Sequence, residues 1–543
     1  MATVHYFCFR SFTQSFGNAS TEFVTHNIAG FVEDAMQVSR NLTMTVGLRY
    51  DYTLLPTPQT ANPQLDSALA ALNQTSNGVA IHGATATFPE DRNNFGPRLS
   101  AAWAPRTIWG VPARWSPKHG SLFTMHLGYG VFFSHIPGAT VRVALTDTGL
   151  DTTTTRIRIR PTTITLCPQV TAVQQGFGYP CDYIAAPPAA VAQTTSAIVF
   201  ASNYRVPMVQ RATASLEREV GRRASVRATY SMALATQLPG STDINIAPST
   251  GMVSYVLQGG DGHPGLHSGQ TFEVPRYDQR PISQFGAVTA LVSNANATYN
   301  AFTAEAQMNG LRWKGLHSLA LHGSYTFSRA IDYAPQGSAT PGHDGQFDPF
   351  HNGYDKGLSN QQYPERFVGS LEYGVSVSRG PKVVRLMLDG WRAAAIGSGG
   401  SGRPYSYQIF GGPHLSGGRE SINGSGGGTY LPTIGRNTLR LAPLGKVDLR
   451  LGREFRAGAR LHLNAFAEAF NLLNEQNISS VQTRAFLLGT PVSPGAPTPL
   501  IFQDAAGIAT EGLTTTMPFG TPSSSTTGMS RERQLELGVR LQF

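Results

Sequence analysis

What most constrains this chain is a pattern of alternating segments whose connections are short and long by turns. The pattern is clearest from Leu444 to Asn474. Val447, Leu449, Leu451 and Phe455 interleave with Lys446, Asp448, Arg450 and Glu454. After a turn at Arg456, Ala457, Gly458 and Ala459, residues Leu461, Leu463, Ala465, Ala467 and Ala469 interleave with Arg460, His462, Asn464 and Glu468. Neighbouring side chains of an extended backbone point to opposite faces, so each arm has one greasy and one charged side, and the pair reads as a long β-hairpin. The end of the chain repeats the pattern, with Leu535, Leu537, Val539, Leu541 and Phe543 set against Gln534, Glu536, Gly538, Arg540 and Gln542.

About thirteen such segments are predicted along the chain. In order they are Glu22–Ser39, Leu42–Tyr50, Phe95–Pro105, Phe123–Phe133, Val206–Val220, Ala224–Leu238, Ala297–Asn309, Leu316–Asp332, Arg366–Ser378 and Val383–Gly397, followed by the hairpin arms and the final strand. Brief turns at Ser39–Asn41, Gly221–Arg223, Gly310–Gly315 and Arg379–Lys382 alternate with insertions that run to about Asn94, Tyr204, Ala295, Tyr363, Pro443 and Arg531. Arg106–Gly120 is of intermediate length. A soluble sandwich or propeller gives no reason for loop length to keep this parity, whereas a transmembrane barrel has short periplasmic turns and long extracellular loops. With Ser39–Asn41 on the periplasmic side, Tyr50, Tyr52, Phe133, Tyr325 and Phe327 fall on lipid-facing positions near the outer ends of strands. Phe455 and Phe543 fall near the inner ends, which gives two aromatic girdles. Arg453, a charge on the lipid-facing side, lands at the inner interface.

Composition agrees. Charged residues make up only 14% and hydrophobic ones 41%, and Gly numbers 58. No apolar run is long enough for a spanning helix, so the apolar residues must be hidden by alternation. The 42 Lys and Arg give a net charge of +9, yet they form no basic run or nucleic-acid module, and no nucleic-acid partner is expected. Cys167 and Cys181 bracket one loop and either pair in an oxidising space or stay as free thiols, with Cys8 left over. The opening residues lack the charged and apolar regions of a secretory signal. The expectation is that Met1 is not the natural start and that residues 1–543 are the C-terminal part of a longer protein. An odd number of strands would leave an open edge in lipid, so either Val4–Phe12 supplies a fourteenth strand or further strands precede Met1, the second being preferred.

Several stretches together resemble the barrel of TonB-dependent receptors of the Oar-like branch. They are Gly30–Tyr52, Asn93–Pro105, Leu321–Asp332, Arg366–Ser376, Asp389–Ser406 and Gly435–Asn477, in the family's order. The resemblance implies an all-β, antiparallel transmembrane barrel in the cell outer membrane, present in part, with about 13–14 strands of about twenty-two. It implies outer-membrane lipid, a plug domain, the TonB energy-coupling complex and an unidentified nutrient as partners. Plug and TonB box are missing from the sequence.

No catalytic, cofactor-binding or metal-binding residue is assigned, and no enzyme activity or cofactor is expected. Gly397–Gly402 satisfies G-x-G-x-x-G but follows a strand without opening a helix, so it reads as a flexible strand end. His343, Asp344, Asp348, His351 and Asp355 share one loop without EF-hand spacing and read as a solvated loop ahead of a hard-cation site. No nucleophile elbow or zinc motif is present. Inward-facing His462, Glu468, Arg450 and Glu536 read as polar residues lining the lumen, and the Asn41 and Asn477 sequons carry no weight. The function expected is TonB-dependent nutrient uptake, the alternative being a structural or adhesive surface barrel.

Overall fold

The computed structural model describes residues 11–17, 21–72, 79, 81, 83–108, 111–112, 121–150, 152–158, 195–221, 223–313, 317–334, 345–377, 380–416, 418–457, 461–504, 517–525 and 532–542. Thirteen antiparallel strands follow one another through a single sheet. They are β1 (His26–Ser39), β2 (Leu42–Leu54), β3 (Phe95–Trp103), β4 (Thr124–Phe133), β5 (Met208–Val220), β6 (Ala224–Asp243) and β7 (Phe285–Trp313). They continue as β8 (His317–Asp332), β9 (Glu365–Val375), β10 (Trp391–Gly400), β11 (Leu444–Ala457), β12 (Leu461–Phe470) and β13 (Gln534–Gln542). Among the described residues β1 and β13 each pair on one side only, so the sheet has two free edges. Among the described residues the three α-helices, α1 (Pro63–Ala71), α2 (Gly138–Thr146) and α3 (Lys382–Leu388), are short, and none is long and apolar enough to cross a membrane.

The register carries the alternation across the whole sheet. Along one row Leu537 faces Ala467, then come Leu451, Ala393, Tyr373 and Leu319. A row on the other side runs Thr124, Glu217, Arg227, Glu305, Ser324, Val368, Ser398 and Lys446. One face is therefore apolar and the other mostly polar, as a wall between lipid and a wet interior requires. Leu535, Leu537 and Val539 on the apolar face are 73%, 87% and 70% exposed, so no other part of the described chain covers them.

Tyr50, Tyr52, Phe133, Tyr325 and Phe327 lie on this outward face, and the Tyr50 and Phe95 rings meet at 4.8 Å. Two outward amides at the same level have tyrosine partners: Tyr129 donates to Gln210 Oε1 at 3.1 Å and Tyr230 to Asn300 Oδ1 at 2.8 Å. At the opposite rim the Trp103 and Phe123 rings meet at 5.6 Å, and the Arg453 guanidinium lies 4.6 Å over Phe455. Both expected girdles are present; Phe543 lies outside the described residues.

Three expectations are corrected or sharpened. The first half of the predicted Val383–Gly397 strand is not a strand: α3 occupies Lys382–Leu388, and the strand, β10, begins only at Trp391. In a strand, Val383 and Met387 would share one face, and Val384, Leu386 and Leu388 the other, so apolar side chains would have filled the wet interior as well as the lipid face. Pro381, extended at the N-cap, starts a helix here instead. The predicted Ala297–Asn309 strand begins at Phe285, and Ala224–Leu238 reaches Asp243, because β6 and β7 run on into a stem that Thr195–Phe200 joins. Of the proposed fourteenth strand, residues 1–10 lie outside the described residues, and Ser11–Gly17 pairs with Thr152–Arg158 in a separate sheet.

The dry core sits in the long insertions. Met252–Gln258, Thr271–Pro275, Gln408–Phe410, Arg484–Leu488 and Thr498–Phe502 make a second, five-stranded sheet. Tyr255, Leu257, Phe347, Tyr407, Ile409, Phe486 and Leu500 pack together around it, each 2% exposed or less. A second cluster packs Leu65 and Leu69 of α1 against Val199, Ile244 and Val288 of the stem. Asn62 caps α1 by accepting from Leu65 N at 3.1 Å, and its amide reaches Thr148 O at 2.9 Å, which ties two insertions together.

The opposed faces of β13 yield a direct test. Leu537→Arg places a charge mid-strand on the lipid side and is expected to remove about 2–4 kcal/mol of folding stability, whereas Arg540→Gln on the interior side leaves it nearly unchanged. Urea unfolding from lipid vesicles measures both; equal effects would contradict the face assignment.

Candidate functional site

The polar face of the sheet and the cap above it are the surfaces on which this chain can do chemistry. On the polar face, short charged side chains are set opposite one another by the register. Arg227 of β6 donates to Glu217 of β5 through Nε at 3.0 Å and reaches Glu305 of β7 at 3.4 Å. Arg450 of β11 pairs with Glu468 of β12 at 2.9 Å while its guanidinium covers the Phe466 ring at 4.0 Å. On its other side that ring lies where a side chain at Gly538 would be, so the aromatic is accommodated only because β13 has a glycine there. His462 Nδ1 lies 2.9 Å from Glu454 Oε1, and Glu536 sits opposite Glu468. The expected inward residues are thus brought to one face, with His462 meeting Glu454. Such half-exposed pairs contribute roughly 0–1 kcal/mol each, so their effect is to keep the interior wet and charged, not to hold the wall together.

The cap is organised by buried polar groups. Asp348, fully buried, accepts from Tyr277 OH at 2.8 Å and from Phe350 N at 2.8 Å, while His351 Nδ1 stands 3.6 Å from its second oxygen. Asp355 accepts from Tyr430 OH at 2.8 Å and from Phe347 N at 3.2 Å. Arg436, only 8% exposed, donates through Nε to Asp355 O at 2.9 Å and through Nη2 to the Asp332 carboxylate and carbonyl. Asn423 and Ser425 close the arrangement by donating to Phe347 O at 2.7 and 2.9 Å. The loop read as solvated is instead a lock joining three insertions to the upper end of β8. Burial pushes the Asp355 carboxyl up to about 6, against the opposing pull of its Tyr430 and Phe347 hydrogen bonds, and pushes the Tyr430 phenol far above its usual range.

Among the described residues no cluster of His, Cys, Asp or Glu is placed to hold a metal ion. His343 and Asp344, like Cys8, Cys167 and Cys181, lie outside the described residues. Gly397–Gly402 ends β10 and opens no helix; a Cβ at Gly400 would strike Glu365 O and one at Gly402 would strike Leu441 O, so these glycines serve close backbone approach. Asn477 is buried and exchanges two bonds with Gly445, at 2.7 and 2.9 Å, fixing the start of β11. The lock escaped the sequence because Tyr277, the pair Asp348 and Asp355, and the pair Tyr430 and Arg436 come from three separate insertions and Asp332 from the end of β8, so no local spacing joins them.

With a two-faced wall, aromatic rims and loops on one end, the geometry meets a decisive match: the outer membrane beta barrel domain profile covers residues 8–428. The chain belongs to this family. It is an outer membrane β-barrel protein. No curated protein matches it in sequence. It is similar to the outer membrane transporter YddB of Escherichia coli, at 9% identity and a TM-score of 0.46, over 96% of this chain and 45% of that one. It is also similar to the FrpB iron transporter of Neisseria meningitidis, at 10% identity and a TM-score of 0.41, over 95% and 45%. A third similarity is to the siderophore receptor PirA of Acinetobacter baumannii, at 11% identity and a TM-score of 0.30, over 97% and 58%. The chain spans a little under half the length of the first two.

Two predictions test the lock of this outer membrane barrel. Arg436→Ala leaves the buried Asp332 carboxylate without its cation and is expected to destabilise the cap by about 3–5 kcal/mol, read as faster proteolysis within residues 345–364. The raised Asp355 group stabilises the cap fully below its ordinary value of 3.8, and this contribution is lost as pH rises through about 6, a change of roughly 3 kcal/mol. Hydrogen exchange at Phe347 N should therefore show protection declining between pH 4 and pH 7, and Asp355→Asn should flatten that decline.

Proposed function

We propose that the chain forms the wall and outer cap of a TonB-dependent receptor that binds a nutrient at the cap and passes it through the polar interior. The observation that carries this reading is the pairing of a folded, locked loop layer on one rim with a charged inner face below it. A barrel that only anchors a surface has no need of a polar interior lined from β4 to β11. The stretches that resemble Oar-like receptors, from Gly30–Tyr52 to Gly435–Asn477, supply the energy-coupling part of the reading, in which a plug occupies the interior until the inner-membrane complex pulls it.

In this reading β1 and β13 are not the natural edges of the working protein. An unpaired strand in hydrocarbon leaves each backbone N–H and C=O without a partner, at several kcal/mol apiece, so additional strands bridge the two edges. The present chain is then the C-terminal part of a longer receptor, and the plug and the missing strands are encoded upstream.

The DNA upstream of Met1 tests this. An in-frame plug with a TonB box, followed by further alternating segments, is expected. A stop codon preceding an independent secretory signal would favour an adhesive or structural surface barrel. A complementary check is ion conductance in planar bilayers: the chain alone should give no stable unit conductance, because a wall with free edges encloses no fixed pore.

A further inference from the structure

The helix α3 buries none of its residues. Val383, Val384, Leu386, Met387 and Leu388 are 63%, 41%, 69%, 65% and 52% exposed, and Lys382 and Arg385 are exposed beside them. Five apolar side chains facing water on a soluble surface would be an unfavourable patch, and no other part of the described chain covers them. Its place in the fold says what does. It connects β9 to β10 at the end of the sheet where the connections are short, away from the cap.

The C-terminal end of α3 is held on the lipid side of the wall. Trp391, on the outward row with Val375 and Arg453, donates its indole N–H to Met387 O at 2.9 Å. Arg453 covers the Trp391 ring at 5.3 Å and donates to Asp389 O at 3.3 Å. Asp389, the C-cap, in turn accepts from Val377 N at 2.8 Å, which fastens the same end of the helix to the chain just past β9. Gly390, at φ +79°, makes the return into β10; a side chain there would strike Glu454 O. The helix is thereby kept beside an arginine and two aromatic rings, the set of residues that sits at the boundary between headgroups and acyl chains.

We propose that α3 is an interfacial anchor seated in the periplasmic leaflet of the outer membrane. Its apolar side chains enter the acyl region just below the headgroups, and Lys382 and Arg385 meet the phosphodiesters of that phospholipid monolayer. The patch is continuous with the outward apolar face of the barrel, which already contacts lipid, and the helix carries two cations and no acid. A helix that presents apolar and cationic residues and lies in the interface plane has the composition of such an anchor, whatever its length. The proposal depends on the membrane location of the wall and not on transport.

The test uses nitroxide labels on the full chain folded in phospholipid vesicles, in a background of Cys8→Ser, Cys167→Ser and Cys181→Ser. Leu386→Cys reports the helix, Leu537→Cys marks the lipid face of β13 and Asn41→Cys marks a polar turn at the same rim. Leu386 is 69% exposed, so the label is compatible with folding. Expected is a Leu386 label that collides with dissolved oxygen like the Leu537 label and is several-fold less accessible than the Asn41 label to a water-soluble nickel chelate. Nickel access at Leu386 as free as at Asn41, with Leu537 still shielded, overturns the anchor. Shielding of Leu386 from both oxygen and nickel overturns it in favour of a protein covering. Water exposure of Leu537 as well overturns the face assignment, and the anchor with it.

Discussion

The constraint on which everything else rests is that a backbone surrounded by hydrocarbon must satisfy its own N–H and C=O groups. Here the thirteen antiparallel strands do so laterally, each with its sequence neighbour, and this frees every side chain to face one of two solvents. The alternation follows directly: Leu537, Ala467 and Leu451 look outward along one row, and Arg227 with Glu217 and Glu305 look inward along another. Because a meander reverses at each strand, all the connections at one rim are even-numbered and all those at the other odd, so the two rims can be given different tasks.

The rims have diverged accordingly. The short-turn rim carries aromatic and cationic side chains suited to headgroups, with Arg453 between Trp391 and Phe455. The long-loop rim carries the only extensive dry packing among the described residues, in which Tyr255, Phe347, Tyr407 and Phe486 come from four different insertions. Loops of such length stay ordered only if they bury enough apolar surface to offset the entropy of fixing them. Inside that packing, Arg436 and the carboxylates of Asp332, Asp348 and Asp355 are satisfied mainly by neighbouring side chains and backbone. Partners of this kind fix one arrangement of the insertions, because any slip would strand a buried charge.

The stem links the two regimes. β6 and β7 leave the level of the other strands and continue to Asp243 and back from Phe285, where Asn245, fully buried, accepts from Ile282 N and donates to Ile282 O, Phe285 O and Gly286 O. A bulge at Gln237, with φ +60°, marks the point where the regular ladder ends and the stem begins. Movement of the cap relative to the wall would have to pass through this pair of strands.

Period-2 alternation and the parity of connection lengths were enough to place the thirteen strands, their order, their two faces and the aromatic rims, with only the start of β10 misplaced, because each of these depends on residues close together in the chain. The segment after Arg379 misled for a local reason as well: Val383 to Leu388 is apolar on both parities, which a strand bordering a wet interior does not tolerate, and it folds as α3. The cap was out of reach of such reading. Its strands are two to seven residues long outside the stem, too brief to show a period, and its lock joins Tyr277 to Asp348 and Asp332 to Arg436 across 71 and 104 positions. The sequence by itself determined which side of each strand is apolar and which is polar, since that is written in neighbouring residues. Only the tertiary structure decided how the insertions close over one another, since burial and hydrogen-bond partners there are set by segments that meet nowhere but in space.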